Sequence, residues 1–240
     1  SGAKRFIAVS QQEKEELVWS GLNPADLVVR RNGVTLESLS PNGSSDEFRS
    51  RWELPPQSHV ILFVGRLAPV KGLKSLVSAF AALALESTRL VIAGPDEGNG
   101  YRRQLEKLAV ESGVRNRMVF TGPLYGEEKA EAFRAADVFV LPSERESFGI
   151  VAAEAMACGT PVISTELSTG TSYVNRDGET GFVVPPKDAS ALAERINLLV
   201  GDDGLRETLG QQAKSRVEQE FLKEVVVERT LRLYEEVLAK

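Results

Sequence analysis

The sequence predicts an α/β protein built on a doubly wound, mostly parallel sheet. Three observations carry that prediction. Several short apolar runs show no polar alternation, as strands covered on both faces do. Each is followed by a longer segment whose apolar residues recur at helical spacing. The two kinds of segment alternate strictly, as right-handed βαβ units require.

The elements follow in order. "RFIAVS" (5–10) reads as a strand, "QQEKEELVWSG" (11–21) as a helix and "LVVRRNGV" (27–34) as another strand. "LSPNGSSDE" (39–47) has the composition of a loop. The regular alternation then begins. Strands are expected at "VILFVG" (60–65), "RLVIAG" (89–94), "RMVFTG" (117–122), "DVFVLPS" (137–143) and "PVIST" (161–165). Helices are expected at "LKSLVSAFAALALE" (73–86), "YRRQLEKLAVESG" (101–113) and "EEKAEAFRAA" (127–136), and again after Ser147. The last of these is capped by Ser147 and stops at Gly159, with Pro161 just beyond. Residues 189–240 read as three amphipathic helices, "ASALAERINLLV", "LRETLGQQAKSRVEQEF" and "VVVERTLRLYEEVLAK". No internal boundary is visible, so residues 1–240 are expected to form a single domain.

Composition narrows the function. A net charge of −5 argues against nucleic acid as the main partner. One cysteine, Cys158, allows no internal disulfide, and together with one histidine, His59, it allows no zinc cluster. No apolar stretch approaches the roughly 20 residues of a membrane span, and no signal peptide is visible. Asn42-Gly43-Ser44 matches a glycosylation sequon, which without a secretory signal reads as chance. The opening "SGAKRFIAVS" reads as a cut from a longer protein.

In doubly wound sheets ligands bind where strands turn into helices. Four such turns stand out. In "VGRLAPVKGL" (64–73), Arg66 and Lys71 sit between a strand end and a helix start, with Gly65 and Gly72 freeing the backbone. Two cations beside a helix N-terminus make an anion site; the plain alternative is two solvated surface charges. The Walker A spacing fails, because position 70 is Val. "AGPDEGNGY" (93–101) fails the dinucleotide fingerprint, since Arg103 stands where Gly is needed, and reads as a flexible loop. "FTGPLYG" (120–126) exposes backbone at Leu124 to a flat ring, and reads equally as an ordinary connection. The fourth turn starts the helix after Ser147, where Phe148, Gly149 and Ile150 offer free N–H groups.

Two carboxylates frame that fourth turn. Glu146 and Glu154 are eight positions apart, roughly 12 Å along a helix, too far for a pair cleaving one glycosidic bond at about 5–9.5 Å. Two acceptors along one elongated, hydroxyl-rich ligand fit better. The alternative for Glu154 is simple exposure on its helix.

"GRLAPVKG", "LPSERESFGIVAAEAMACGTPVI" and "DGETGFVVPPKD", in this order, resemble the C-terminal half of a GT-B fold glycosyltransferase of family 4 (glycosyl transferases group 1). "AVSQQEKEEL" and "VVRRNGV" resemble that family's entry into the domain, so the likeness covers nearly the whole chain. The resemblance implies a Rossmann-like domain that binds a nucleotide-diphosphate sugar, UDP- or GDP-linked, for retaining transfer in polysaccharide or glycolipid biosynthesis. It implies Arg66 and Lys71, beside Gly65, on the diphosphate, and Glu146 on donor-sugar hydroxyls. Phe148, Gly149 and Ile150 would meet sugar and phosphate, Glu154 the ribose and Leu124 the base. It implies no metal or other cofactor, in keeping with the absence of an Asp-x-Asp sequence. The partner would be the protein's own N-terminal acceptor domain, absent from this chain, and any peripheral contact with the inner membrane face of a cytoplasmic enzyme would belong to that half. The fragment alone is expected to bind donor weakly and to transfer no sugar. Ser147 stands where many members have Gly, and "STGTSYV" (168–174) replaces a common double glycine. Both leave donor choice open. Competing classes are a nucleotide-sugar epimerase, a non-catalytic nucleotide-binding module and an interaction domain.

Overall fold

The computed structural model describes residues 5–35, 44–98 and 100–239. The chain enters through β1 (Phe6–Ala8), α1 (Gln11–Trp19) and β2 (Leu27–Val29). β1 and β2 pair in parallel as a small sheet of their own. α2 (Ser45–Arg51) follows. The regular alternation then runs β3 (His59–Val64), α3 (Leu73–Ala81), β4 (Thr88–Ala93), α4 (Tyr101–Glu111), β5 (Met118–Gly122), α5 (Gly126–Ala135) and β6 (Val138–Leu141). It continues with α6 (Ile150–Ala157), β7 (Val162–Thr165), a short α7 (Gly170–Val174) and β8 (Gly181–Val184). α8 (Ala189–Gly201), α9 (Asp203–Glu220) and α10 (Lys223–Leu238) close the chain.

β3 to β8 form one sheet in the order β5-β4-β3-β6-β7-β8, with every pairing parallel. The sheet grows outward from β3 through β4 to β5, then returns to β3's other side with β6. That reversal opens a crevice beyond the carboxyl ends of β3 and β6. The central strands are fully covered: Ile61, Leu62, Val138, Phe139 and Val140 are all buried. Their lack of polar alternation follows from that double cover. α3 packs with α4 and α8, while α6 packs with α5 and α9.

The expected doubly wound parallel sheet is present, with differences at its margins. β8 is not among the expected strands. It has four residues, opens on a glycine and runs into Pro185 and Pro186, so no period announces it. Gly181 is there for space: a Cβ would lie 1.8 Å from the Val162 carbonyl oxygen. The 39–47 loop is corrected in part. Residues 39–43 lie outside the described residues, as does Asn42 of the sequon, but Ser44 caps α2 and Ser45–Glu47 are its first turn. Only Phe48 of α2 is buried, so the segment shows no apolar stripe. The 73–86 helix ends at Ala81, where the chain turns back toward β4 through a Thr88 N–H bond to the Leu85 carbonyl.

Candidate functional site

The loop after β3 is held from two sides. The Gly65 N–H donates to the Ala93 carbonyl at 2.9 Å and the Leu67 N–H to the Pro95 carbonyl at 3.0 Å, which ties the loop to the end of β4. Pro69–Lys71 then make one 3-10 turn, and Gly72 takes the left-handed conformation (φ 66°) from which α3 starts. A Cβ on Gly72 would lie 1.9 Å from the Pro142 carbonyl oxygen. The Glu144 N–H donates to the Val70 carbonyl at 2.8 Å. The loop after β3 therefore lies directly on the loop after β6.

This contact brings Lys71 to Glu146, 75 residues away. Nζ stands 2.7 Å from Oε2, and the two side chains are only 17% and 18% exposed. Both loops leave adjacent central strands at the reversal point, so the pair sits in the crevice.

The start of α6 corrects one expectation. Ser147 does not cap the helix. The N-cap is Gly149, left-handed at φ 78° and ψ 46°, with no side-chain cap. Ser147 instead accepts a hydrogen bond at its carbonyl from the Gly170 N–H at 3.0 Å. A side chain at Gly149 would be strained by that backbone conformation. Among the described residues, no protein acceptor meets the N–H groups of Phe148, Gly149, Ile150 and Val151. The Phe148 ring is buried against Phe221, with centroids 5.9 Å apart, so this residue can present only backbone to a ligand.

The other expected residues are placed as follows. Glu154 lies one turn beyond Ile150 and pairs with Lys129 of α5, Nζ to Oε1 at 2.7 Å. Leu124 is buried just before α5, and Tyr125 beside it is 73% exposed. Arg66 pairs with Glu97 of the β4–α4 loop, Nη1 to Oε1 at 2.7 Å, with its side chain 59% exposed. Lys71, Glu146 and the α6 start are thus brought together, whereas Arg66 is exposed and paired with Glu97. Sequence reasoning missed Lys129 and Glu97. They stand 25 and 31 residues from their partners, and no spacing rule links them.

Glu146 also lines an open cleft of about 450 Å³. Its walls are Ser10, Glu13 and Glu16 on one side and Glu144 to Ser147 on the other. The carboxylate is shared between its lysine and this cleft. No group of three or more His, Cys, Asp and Glu side chains suited to a metal ion occurs among the described residues.

Cys158, at the far end of α6, reports on how closed that helix is. Burial pushes its thiol up to about 11; the Arg134 charge opposes this and the Glu154 carboxylate adds to it. The thiolate is the reactive form. At pH 8 the native chain is expected to react with a disulfide reagent on the order of a hundredfold more slowly than a free thiol. Full reactivity should appear on unfolding in urea; equal rates in both states would show the packing around α6 to be open.

The family model for "Glycosyl transferases group 1" matches residues 44–216. A D-inositol 3-phosphate glycosyltransferase of Streptomyces bingchenggensis is 39% identical over 227 residues, covering 90% of this chain and 50% of the relative. The chain spans about half the length of the curated relatives it matches. The sucrose-phosphate synthase structure from Thermosynechococcus elongatus superposes with a TM-score of 0.85 at 34% identity, covering 97% of this chain and 58% of that one. Anabaena HepE in complex with UDP-glucose superposes with a TM-score of 0.86 at 25% identity, covering 99% and 64%.

Proposed function

This chain belongs to the glycosyl transferases group 1 family, and from that premise we propose that it is the donor-binding half of a retaining glycosyltransferase, taking a UDP-linked sugar. The observation that carries the reading is the Lys71–Glu146 pair at the start of α6, in the crevice beyond β3 and β6. A cation and unpaired helix N–H groups suit a diphosphate. A carboxylate next to them suits sugar hydroxyls.

In this reading Lys71 and the Phe148–Ile150 N–H groups hold the diphosphate, and Arg66 closes over it after leaving Glu97. Negative charge builds on the leaving phosphate as the glycosyl bond breaks, and fixed positive charge there lowers the barrier. Side-chain and backbone donors do this work, so no metal ion is called for. Glu146 holds the transferred sugar, Glu154 the ribose, and the backbone at Leu124 the base. HepE, bound to UDP-glucose on a closely superposing fold, supports the choice of uridine. The acceptor, and any contact with a membrane surface, fall to an N-terminal domain outside this chain. No helix among the described residues is long and apolar enough to cross a membrane.

Calorimetry with UDP and UDP-glucose tests the reading. UDP-glucose is expected to bind more tightly than UDP. Glu146→Ala should remove that advantage, about tenfold for one charge-assisted hydrogen bond, while UDP itself binds at least as well. Loss of UDP and UDP-glucose binding in equal measure would show that Glu146 does not face the sugar. Anomeric analysis of the product made by the full-length enzyme tests retention.

A further inference from the structure

Lys129 lies in the first turn of α5, and its ammonium reaches across to α6. The Lys129 and Glu154 side chains are 22% and 16% exposed, with Nζ and Oε1 2.7 Å apart. A pair this withdrawn from water loses hydration on both charges and persists only where its geometry is well made. The Lys71–Glu146 pair has the same length and nearly the same exposure. Two half-buried lysine–glutamate pairs therefore border the start of α6, each joining it or its loop to a neighbouring element.

The second pair is half used. Lys129 takes Oε1 of Glu154, and among the described residues Oε2 receives no hydrogen bond. An ionised carboxylate has about four lone-pair sites, so Glu154 keeps acceptor capacity while its orientation is set from the Lys129 side. The Ala-rich surface of α6 allows this, because Ala152, Ala153 and Ala155 let neighbouring elements approach closely.

We infer that Lys129 is a positioning residue: it fixes the Glu154 carboxylate so that its second oxygen accepts from the ribose hydroxyls of the bound nucleotide. This rests on the donor-site reading above, which places ribose at Glu154. Lys129 itself touches no substrate. Its effect is selectivity for a ribonucleotide over a nucleotide lacking the two hydroxyls.

The test compares UDP with 2′,3′-dideoxy-UDP by calorimetry on the 240-residue chain and its variants. The unsubstituted chain should prefer UDP by about tenfold. Lys129→Met should reduce that preference to about twofold through weaker UDP binding, with the dideoxy compound unaffected. Lys129→Arg, which keeps a charged donor, should restore most of it. Should Lys129→Met fail to fold, Lys129→Gln carries the same comparison. A Lys129 that serves only packing would weaken both nucleotides alike, and that result overturns the inference. Loss of preference in Glu154→Gln but not in Lys129→Met also overturns it, while leaving ribose at Glu154. An unchanged preference in Glu154→Gln, or no UDP binding by the unsubstituted chain, overturns the donor-site assignment itself.

Discussion

Lys71→Ala is expected to weaken UDP binding by about a hundredfold, the largest loss of any single side chain in the site. One charge-assisted hydrogen bond to a phosphate is worth about 1.5–3 kcal/mol, or roughly ten- to a hundredfold. A second effect adds to it. Glu146, only 18% exposed, would keep its negative charge beside the diphosphate with no lysine to offset it. The sign of the Glu146→Ala change is opposite for UDP alone, since removing that carboxylate frees Lys71. Glu146→Ala should therefore improve UDP binding more in the Lys71→Ala background than in the unsubstituted chain, because there no lysine offsets the carboxylate. Such non-additivity is the mark of two groups in direct contact. Calorimetric titration of the three variants measures it; strictly additive effects would mean that the two charges do not meet in solution.

Gly72→Ala is expected to destabilise the chain by about 4 kcal/mol, in the range reserved for a collision inside the fold. Two terms contribute. The left-handed backbone at φ 66° disfavours any side chain by roughly 1–2 kcal/mol. The methyl group would also sit 1.9 Å from the Pro142 carbonyl oxygen, so one of the two loops must move. Gly113→Ala is the internal control. It has φ 72° and nothing within 4 Å of its Cβ position, so it isolates the conformational term at about 1 kcal/mol. Urea unfolding midpoints separate them. If the two variants unfold together, the loops after β3 and β6 are not in contact. Because that contact carries Lys71 to Glu146, a Gly72→Ala chain that still folds should bind UDP poorly.

The helices and central strands are legible in the sequence because their signals are local. β3, β4 and β6 lie between two helical layers, so they read as uninterrupted apolar runs. α8 and α9 show apolar faces at helical spacing and aspartate caps, Asp188 and Asp202. Where the local signal is weak, the reading fails. α2 is polar or charged throughout but for Phe48, and β8 is four residues long. Ser147 has the chemistry of a cap but not its place: the left-handed turn at Gly149 delays the helix until Ile150, and the Ser147 carbonyl is tied to Gly170.

The candidate site divides along the same line. Residue type and position at a strand end were enough to single out Lys71, Glu146 and the α6 start, and the family motifs ordered them along a ligand. The sequence by itself determined the alternation, the strand ends and the kinds of side chain gathered there. Only the tertiary structure decided which charges meet. With 29 basic and 34 acidic residues, composition leaves the pairing open. Lys71 could find Glu146, Lys129 Glu154 and Arg66 Glu97 only after the strand order was set, across 75, 25 and 31 positions. The reason is physical: periodicity encodes which face of an element is buried, while an ion pair depends on distance in space, which no spacing along the chain records.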